Sequence, residues 1–142
     1  MFHDATVTLY NGYTDGLTDV EVWLPTLFTG ETAVNLSITK GANITESGMN
    51  DADTAKMHVK YSALPKPYLD PIEWQKLPSA DKSKYFTFTE TQDFFVKGNT
   101  TAVPILSEGF YDYMKSHYDN VFKVTTVDRY DHVMPHYEIG GN

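Results

Sequence analysis

The sequence predicts a small, mainly β domain: a barrel or sandwich of about seven short strands, with two short helices and one long hairpin loop. Three observations carry this. Several short stretches alternate apolar and polar residues with a period of two. The chain holds ten Tyr and eight Phe with abundant Val and Thr, residue types that suit a pleated, half-buried surface. Clusters of Asn, Asp, Gly and Pro separate the alternating stretches. A length of 142 residues fits one domain, residues 1–142. Such a chain buries roughly two thirds of its unfolded surface and needs no metal or disulfide to fold.

The elements follow in order. "DATVTLY" places Ala5, Val7 and Leu9 on one face and Thr6, Thr8 and Tyr10 on the other, a half-buried strand. "NGYTDG" reads as turn chemistry through Asn11-Gly12 and Asp15-Gly16. "DVEVWLP" is a second strand with Val20, Val22 and Leu24 aligned, its pairing ended by Pro25. "TAVNLSI" is a third, with Val34, Leu36 and Ile38 on one face. "TKGANITESGMNDAD" is polar and aperiodic, and reads as a loop of about a dozen residues, long for a compact domain. "AKMHVKYSA" brings the chain back through Met57, Val59 and Tyr61, so strand, loop and strand form an extended hairpin whose tip reaches beyond the body.

Pro65, Pro67 and Pro71 then oppose ladder pairing. Asp70 as N-cap, Pro71 at the first helical position and Glu73 as capping-box partner predict a short helix over "PIEWQKL", closed by Pro78 and anchored by Trp74. "KYFTFTE" and "DFFVKGN" read as strands. "SEGFYDYMKSHYDN" reads as the longer helix, capped by Ser107, with Phe110, Tyr113, Met114 and His117 at helical spacing and Asn120 as its stop. "VFKVTTVD" and "HYEIGG" form the last strand pair.

Composition narrows the function. With no cysteine, the chain has no disulfide framework, no thiolate metal site and no cysteine nucleophile. A net charge of −8 argues against a general nucleic-acid-binding module and suits a wall past which DNA slides. The N-terminus lacks a basic segment followed by an apolar run, and no apolar run reaches membrane-spanning length, so the expectation is a soluble protein of a reducing compartment. The three Asn-x-Ser/Thr matches, at Asn35, Asn43 and Asn99, are expected by chance where Ser and Thr are common.

The stretch with most chemistry is "VTTVDRYDHVMPHYEIGGN", which gathers Asp128, Asp131, His132, His136 and Glu138. A zinc-type pair at i and i+4 requires a helix, and Pro135 between His132 and His136 opposes one. On a strand the two imidazoles stand roughly 13 Å apart, too far for one ion. The stretch is therefore expected to be a turn between two strands, with no metal ligand, no catalytic residue and no cofactor. Asp51 and Asp53 lack the further oxygens of a calcium loop. Neither a nucleophile elbow nor a phosphate-binding glycine loop occurs, and no enzyme activity is expected. The aromatics Phe86, Phe88, Phe94, Phe95, Phe110, Tyr111 and Tyr113 suit core packing better than a sugar- or base-stacking face, with some exposed ones left to anchor a protein interface.

Taken in order, "VTLYNGY", "YLDPIEWQKLPSADKSKYFTFTETQDFFVKGN" and "KVTTVDRYDHVMPHYEIGGN" resemble a family of small neck-region proteins of phages and prophages of Gram-positive bacteria. The carrying elements are Pro71, Trp74, Leu77 and Pro78, then Val96-Lys97-Gly98, then Thr125 to Asp128 and His136 to Gly141. The resemblance implies a head-completion, or stopper, protein of the virion neck, assembled in the bacterial host cytoplasm. It would form a homo-oligomeric ring, with portal or adaptor proteins above and tail-completion or tail-tube proteins below. DNA would pass through the lumen without sequence-specific binding. Ile44, Thr45, Glu46, Ser47, Met49, Asn50 and Asp51 are the expected channel loop, and Trp74, Tyr130, Met134, His136, Tyr137 and Ile139 the expected subunit or partner interface. The alternatives are another neck, tail-completion or adaptor protein, or a carbohydrate- or receptor-binding β module.

Overall fold

The computed structural model describes residues 2–39, 42–45, 48–51, 53–131 and 134–142. Its strands are β1 (Val7–Thr14), β2 (Glu21–Phe28), β3 (Asn35–Thr39), β4 (Ala42–Thr45), β5 (Gly48–Asp51), β6 (Thr54–Lys60), β7 (Phe94–Lys97), β8 (Val121–Tyr130) and β9 (His136–Gly141). Its helices are α1 (Pro71–Lys76), α2 (Ser79–Lys82) and α3 (Phe110–His117). Seven strands form one antiparallel sheet in the order β2-β1-β7-β8-β9-β6-β3, and β4 and β5 pair separately. The mainly β expectation holds. The sheet does not close into a barrel: β2 and β3 are its edges, while Ala5, just before β1, and Val34, just before β3, exchange backbone hydrogen bonds of 2.9 and 3.0 Å.

Strand β8 gives the sheet its bend. Its first residues pair with β7 and its later ones with β9, with a register shift between Val124 and Thr126. A bulge of this kind increases twist and redirects the strand. One face of the bent sheet encloses the main core, built from Val7 and Leu9, Phe28, Met57 and Val59, Phe95, Phe122 and Val124, and Tyr137 and Ile139, with Phe86 and Phe88 laid across it. On the other face of β1, β2, β7 and β8, Phe110 and Met114 of α3 cover Tyr10, Trp23, Phe94, Val96 and Val121. Strand β1 is therefore buried on both faces over residues 7–12, where alternation had predicted one.

Several expectations change. Asn11-Gly12 is not a turn but the middle of β1, and the turn lies at Asp15–Asp19. Gly12 faces Trp23 across the ladder, and a Cβ there would meet the indole at 2.6 Å. Pro25 does not end β2, which runs on to Phe28; on an edge strand its missing N–H costs no ladder bond. "KYFTFTE" is not a strand: Phe86 makes a single parallel bridge to Tyr68, and the segment is held instead by its buried rings. Helix α3 starts at Phe110 behind Gly109, whose φ of 65° lies in the left-handed region, so Ser107 is not its cap. Asp70 holds the N-cap position of α1, but its carboxylate makes no capping bond. Pro78 closes α1 as expected and opens the short α2, a third helix. Lys82 of α2 then returns its ammonium to the carbonyls of Gln75 and Leu77 at the end of α1, while the Trp74 indole donates to the Lys82 carbonyl at 3.1 Å.

The segment before β7 carries a buried polar hub. Pairing of β1 with β7 stops at Tyr10–Phe94. There the Asp93 carboxylate takes over, accepting from the Gly12 N–H at 3.0 Å, the Asn11 side-chain amide at 2.7 Å and the Thr89 N–H at 2.8 Å. Asn11 also donates to the Thr87 carbonyl at 2.6 Å. These bonds tie the irregular 86–93 segment to the sheet. Burial pushes the Asp93 carboxyl up to about 6, against the hydrogen bonds that favour its anion.

Candidate functional site

Two features stand out against this frame. The first is an arm. Strands β3 and β6 pair up to Thr39–Thr54. Three residues further on along one strand and three back along the other give Ala42 and Asp51, which are themselves partners in the β4–β5 ladder, down to Thr45–Gly48. Among the described residues the two ladders therefore share one register. The aperiodic stretch expected as loop thus contains strand pairs, Ala42–Thr45 against Gly48–Asp51. Of the expected channel residues, Ile44, Thr45, Met49, Asn50 and Asp51 lie in this ladder. Glu46 and Ser47 lie outside the described residues.

The second feature is on the outer face of β6, β9 and β8. Alternation on β9 sends Tyr137 and Ile139 into the core and His136 and Glu138 outward. On β6 it sends Met57 and Val59 inward and Lys56, His58 and Lys60 outward. Register does the rest: His58 stands opposite Glu138, and Glu138 opposite Asp128 of β8. In the next row Lys60, His136 and Tyr130 are aligned. The His136 ring lies between two others, stacked on His58 with centroids 5.2 Å apart and on Tyr130 at 5.0 Å.

The ligand atoms of His58, His136 and Glu138 lie within 4.8 Å of one another, and all three residues are half-buried. His136 Nδ1 donates to the Met134 carbonyl at 2.8 Å, since a carbonyl can only accept; this fixes the tautomer and leaves the Nε2 lone pair free. Burial holds the His58 imidazole below its ordinary pKa, with Glu138 opposing. Its Nδ1 is buried without a hydrogen-bond partner. Lys56 lies 2.9 Å from Glu138 and holds that carboxyl below its usual range. The sequence pairing of His132 with His136 does not describe this site: His132 lies outside the described residues, and the partner of His136 is His58, from another strand. Asp131 turns away to the Tyr61 hydroxyl, 3.1 Å distant. The readable signal was His-x-Glu with alternation on β9. The register of β6 against β9 was not readable.

A family model for a family of unknown function, DUF6751, matches residues 2–142. The chain belongs to the DUF6751 family. No curated protein and no solved structure matches the chain.

The expected interface set of this DUF6751 member divides in two. Trp74 and Ile139 are fully buried and Tyr137 is 5% exposed, so these three are core residues and present no surface to a partner. Tyr130 and Met134, at 45% and 70% exposed, do reach the surface, and His136 is intermediate. Met134 and His136 line a cleft with His3, Lys60, Tyr61 and Pro135. Of the aromatics weighed for a sugar-binding face, Phe86, Phe88, Phe94, Phe95 and Phe110 are buried in the two cores, while Tyr111 and Tyr113 are half-buried against the second. No described helix is long and apolar enough to cross a membrane.

Proposed function

We propose that this DUF6751 protein is a structural component of a phage neck, a head-completion or stopper subunit. It assembles as a homo-oligomeric ring between portal or adaptor proteins and the tail-completion or tail-tube proteins. The arm formed by β4 and β5 points toward the channel and narrows it. No bond is made or broken in this role.

The observation that carries the reading is the β4–β5 pair, which lies between β3 and β6 in the chain, shares their register and stands outside the seven-stranded sheet. The pair spans about 10 Å at the strand rise. Three further points support it. The net charge of −8 lets DNA pass without adhering. The two edge strands β2 and β3 offer backbone to neighbouring subunits. The ordered set of motifs resembles neck-region proteins over most of the chain. A largely helical adaptor does not fit the seven-stranded sheet, and a carbohydrate-binding module loses five of its seven candidate aromatics to the cores.

The test is a variant in which Asn-Gly replaces residues 42–51. It should fold with an unchanged melting temperature, join particles, and give heads that lose packaged DNA. Full retention of DNA by particles carrying the shortened chain would refute the channel role of the arm.

A further inference from the structure

We infer that His58, His136 and Glu138 form a binding site for one first-row divalent cation, of which Zn²⁺ suits the donors best. Two imidazoles and a carboxylate match the preference of such ions for nitrogen and oxygen donors. The three come from two adjacent strands whose pairing, His58 with Glu138, fixes their spacing through the backbone.

The distances are close to what an ion needs. The candidate ligand atoms lie within 4.8 Å of one another. Ligands at Zn–N and Zn–O lengths around a tetrahedral ion stand roughly 3.3 Å apart. Closing the difference requires the stacked His58 and His136 rings, 5.2 Å apart with planes 17° from parallel, to tilt until their in-plane lone pairs converge, a side-chain rotation that leaves the strands in place. Both imidazoles are prepared for the role. His136 is oriented by its Nδ1 bond to the Met134 carbonyl, the outer-sphere contact that metal-bound histidines commonly make. His58 carries a buried ring nitrogen with no partner. A buried polar atom left unsatisfied is rare and asks for an explanation. A cation drawing the His58 ring toward it, or bound at that nitrogen, supplies one. Glu138 keeps one oxygen for the ion while Lys56 holds the other, so metal binding does not require the ion pair to break.

The site has three protein ligands and an open position, which water fills. It joins β6 to β9 and sits on the cleft lined by His3, Tyr61 and Met134. Its expected effect is to fasten these two strands. The proposal is independent of the neck reading, since it concerns only this chain and a free ion.

The experiment uses the full chain with any affinity tag removed, stripped by chelator and titrated with Zn²⁺ and with Co²⁺ as a spectroscopic probe. The expected result is saturable one-to-one binding with micromolar or tighter affinity, and a melting temperature that rises with Zn²⁺. His58→Gln, His136→Gln and Glu138→Gln should each weaken binding at least tenfold, while His117→Gln, on an exposed helix end, should not. X-ray absorption on the Zn²⁺-loaded wild-type chain reads the ligands without any variant and should show two imidazoles. No saturable binding, wild-type affinity in all three site variants, or an absorption spectrum without histidine would each overturn the assignment.

Discussion

Asp93→Asn isolates the buried hub that holds the irregular 86–93 segment against β1. The carboxylate faces three donors: Gly12 N–H on Oδ1, and the Asn11 amide and Thr89 N–H on Oδ2. An Asn of the same shape keeps the two bonds at the Oδ2 position and turns its own NH₂ toward the Gly12 N–H. The Gly12 N–H and the new amide NH₂ are both left without an acceptor, a cost of about 1–3 kcal/mol for each. Against this stands the charge. Burial raises Asp93 from an ordinary value of 3.8 to about 6. The folded state therefore binds the proton more tightly than the unfolded state does. Its contribution to stability is fully present below the unfolded pKa and is lost as pH rises through the folded one. Between pH 4.0 and pH 7.5 the loss is about 2 kcal/mol, at 1.36 kcal/mol for each unit of pKa. The variant has no such group. Urea unfolding followed by the fluorescence of Trp23 and Trp74 should thus show a clear penalty for Asp93→Asn at pH 4.0. The penalty should shrink by about 2 kcal/mol at pH 7.5, because the wild type has weakened. An equal penalty at both pH values would refute the claim that burial dominates this carboxyl.

Other substitutions test the packing. Trp74→Ala removes a fully buried indole and its bond to the Lys82 carbonyl, and calorimetry should show a loss of about 3–5 kcal/mol, a core penalty with no selective effect on assembly. Gly141→Ala sets a Cβ 2.9 Å from both Phe122 and Phe95, and should cost about 1–3 kcal/mol in chemical denaturation. Tyr10→Phe removes the hydroxyl that bonds Thr100 at 2.7 Å, and should cost about 0.5–1.5 kcal/mol in the same assay while the fold is retained.

Strands with strong alternation and a core beneath them were legible. Val7 and Leu9, and Met57 and Val59, fall on the faces that period two assigns. The helix at Pro71–Lys76 followed from Pro71 at its first turn and Trp74 as anchor. Where the sequence misled, tertiary packing outweighed local chemistry. Asn11-Gly12 has turn composition, but Asn11 bonds Asp93 and Gly12 makes room for Trp23, so the pair belongs inside a strand. Phe86 and Phe88 alternate like a strand yet only reach across the core. The candidate metal cluster was half legible. His136 and Glu138 are two apart on one strand, whereas His58 joins them through a pairing between strands some eighty residues apart, which no local pattern records. Trp74, Tyr137 and Ile139 were placed at an interface because aromatic and branched residues serve interfaces and cores alike, and only burial separates the two.

The neck role is the central claim, and copy number tests it most directly. The measurement is quantitative mass spectrometry of gradient-purified phage particles, scaled to the major capsid protein. The account predicts a small, fixed copy number per particle, that of one ring. Absence of the chain from intact particles would contradict it.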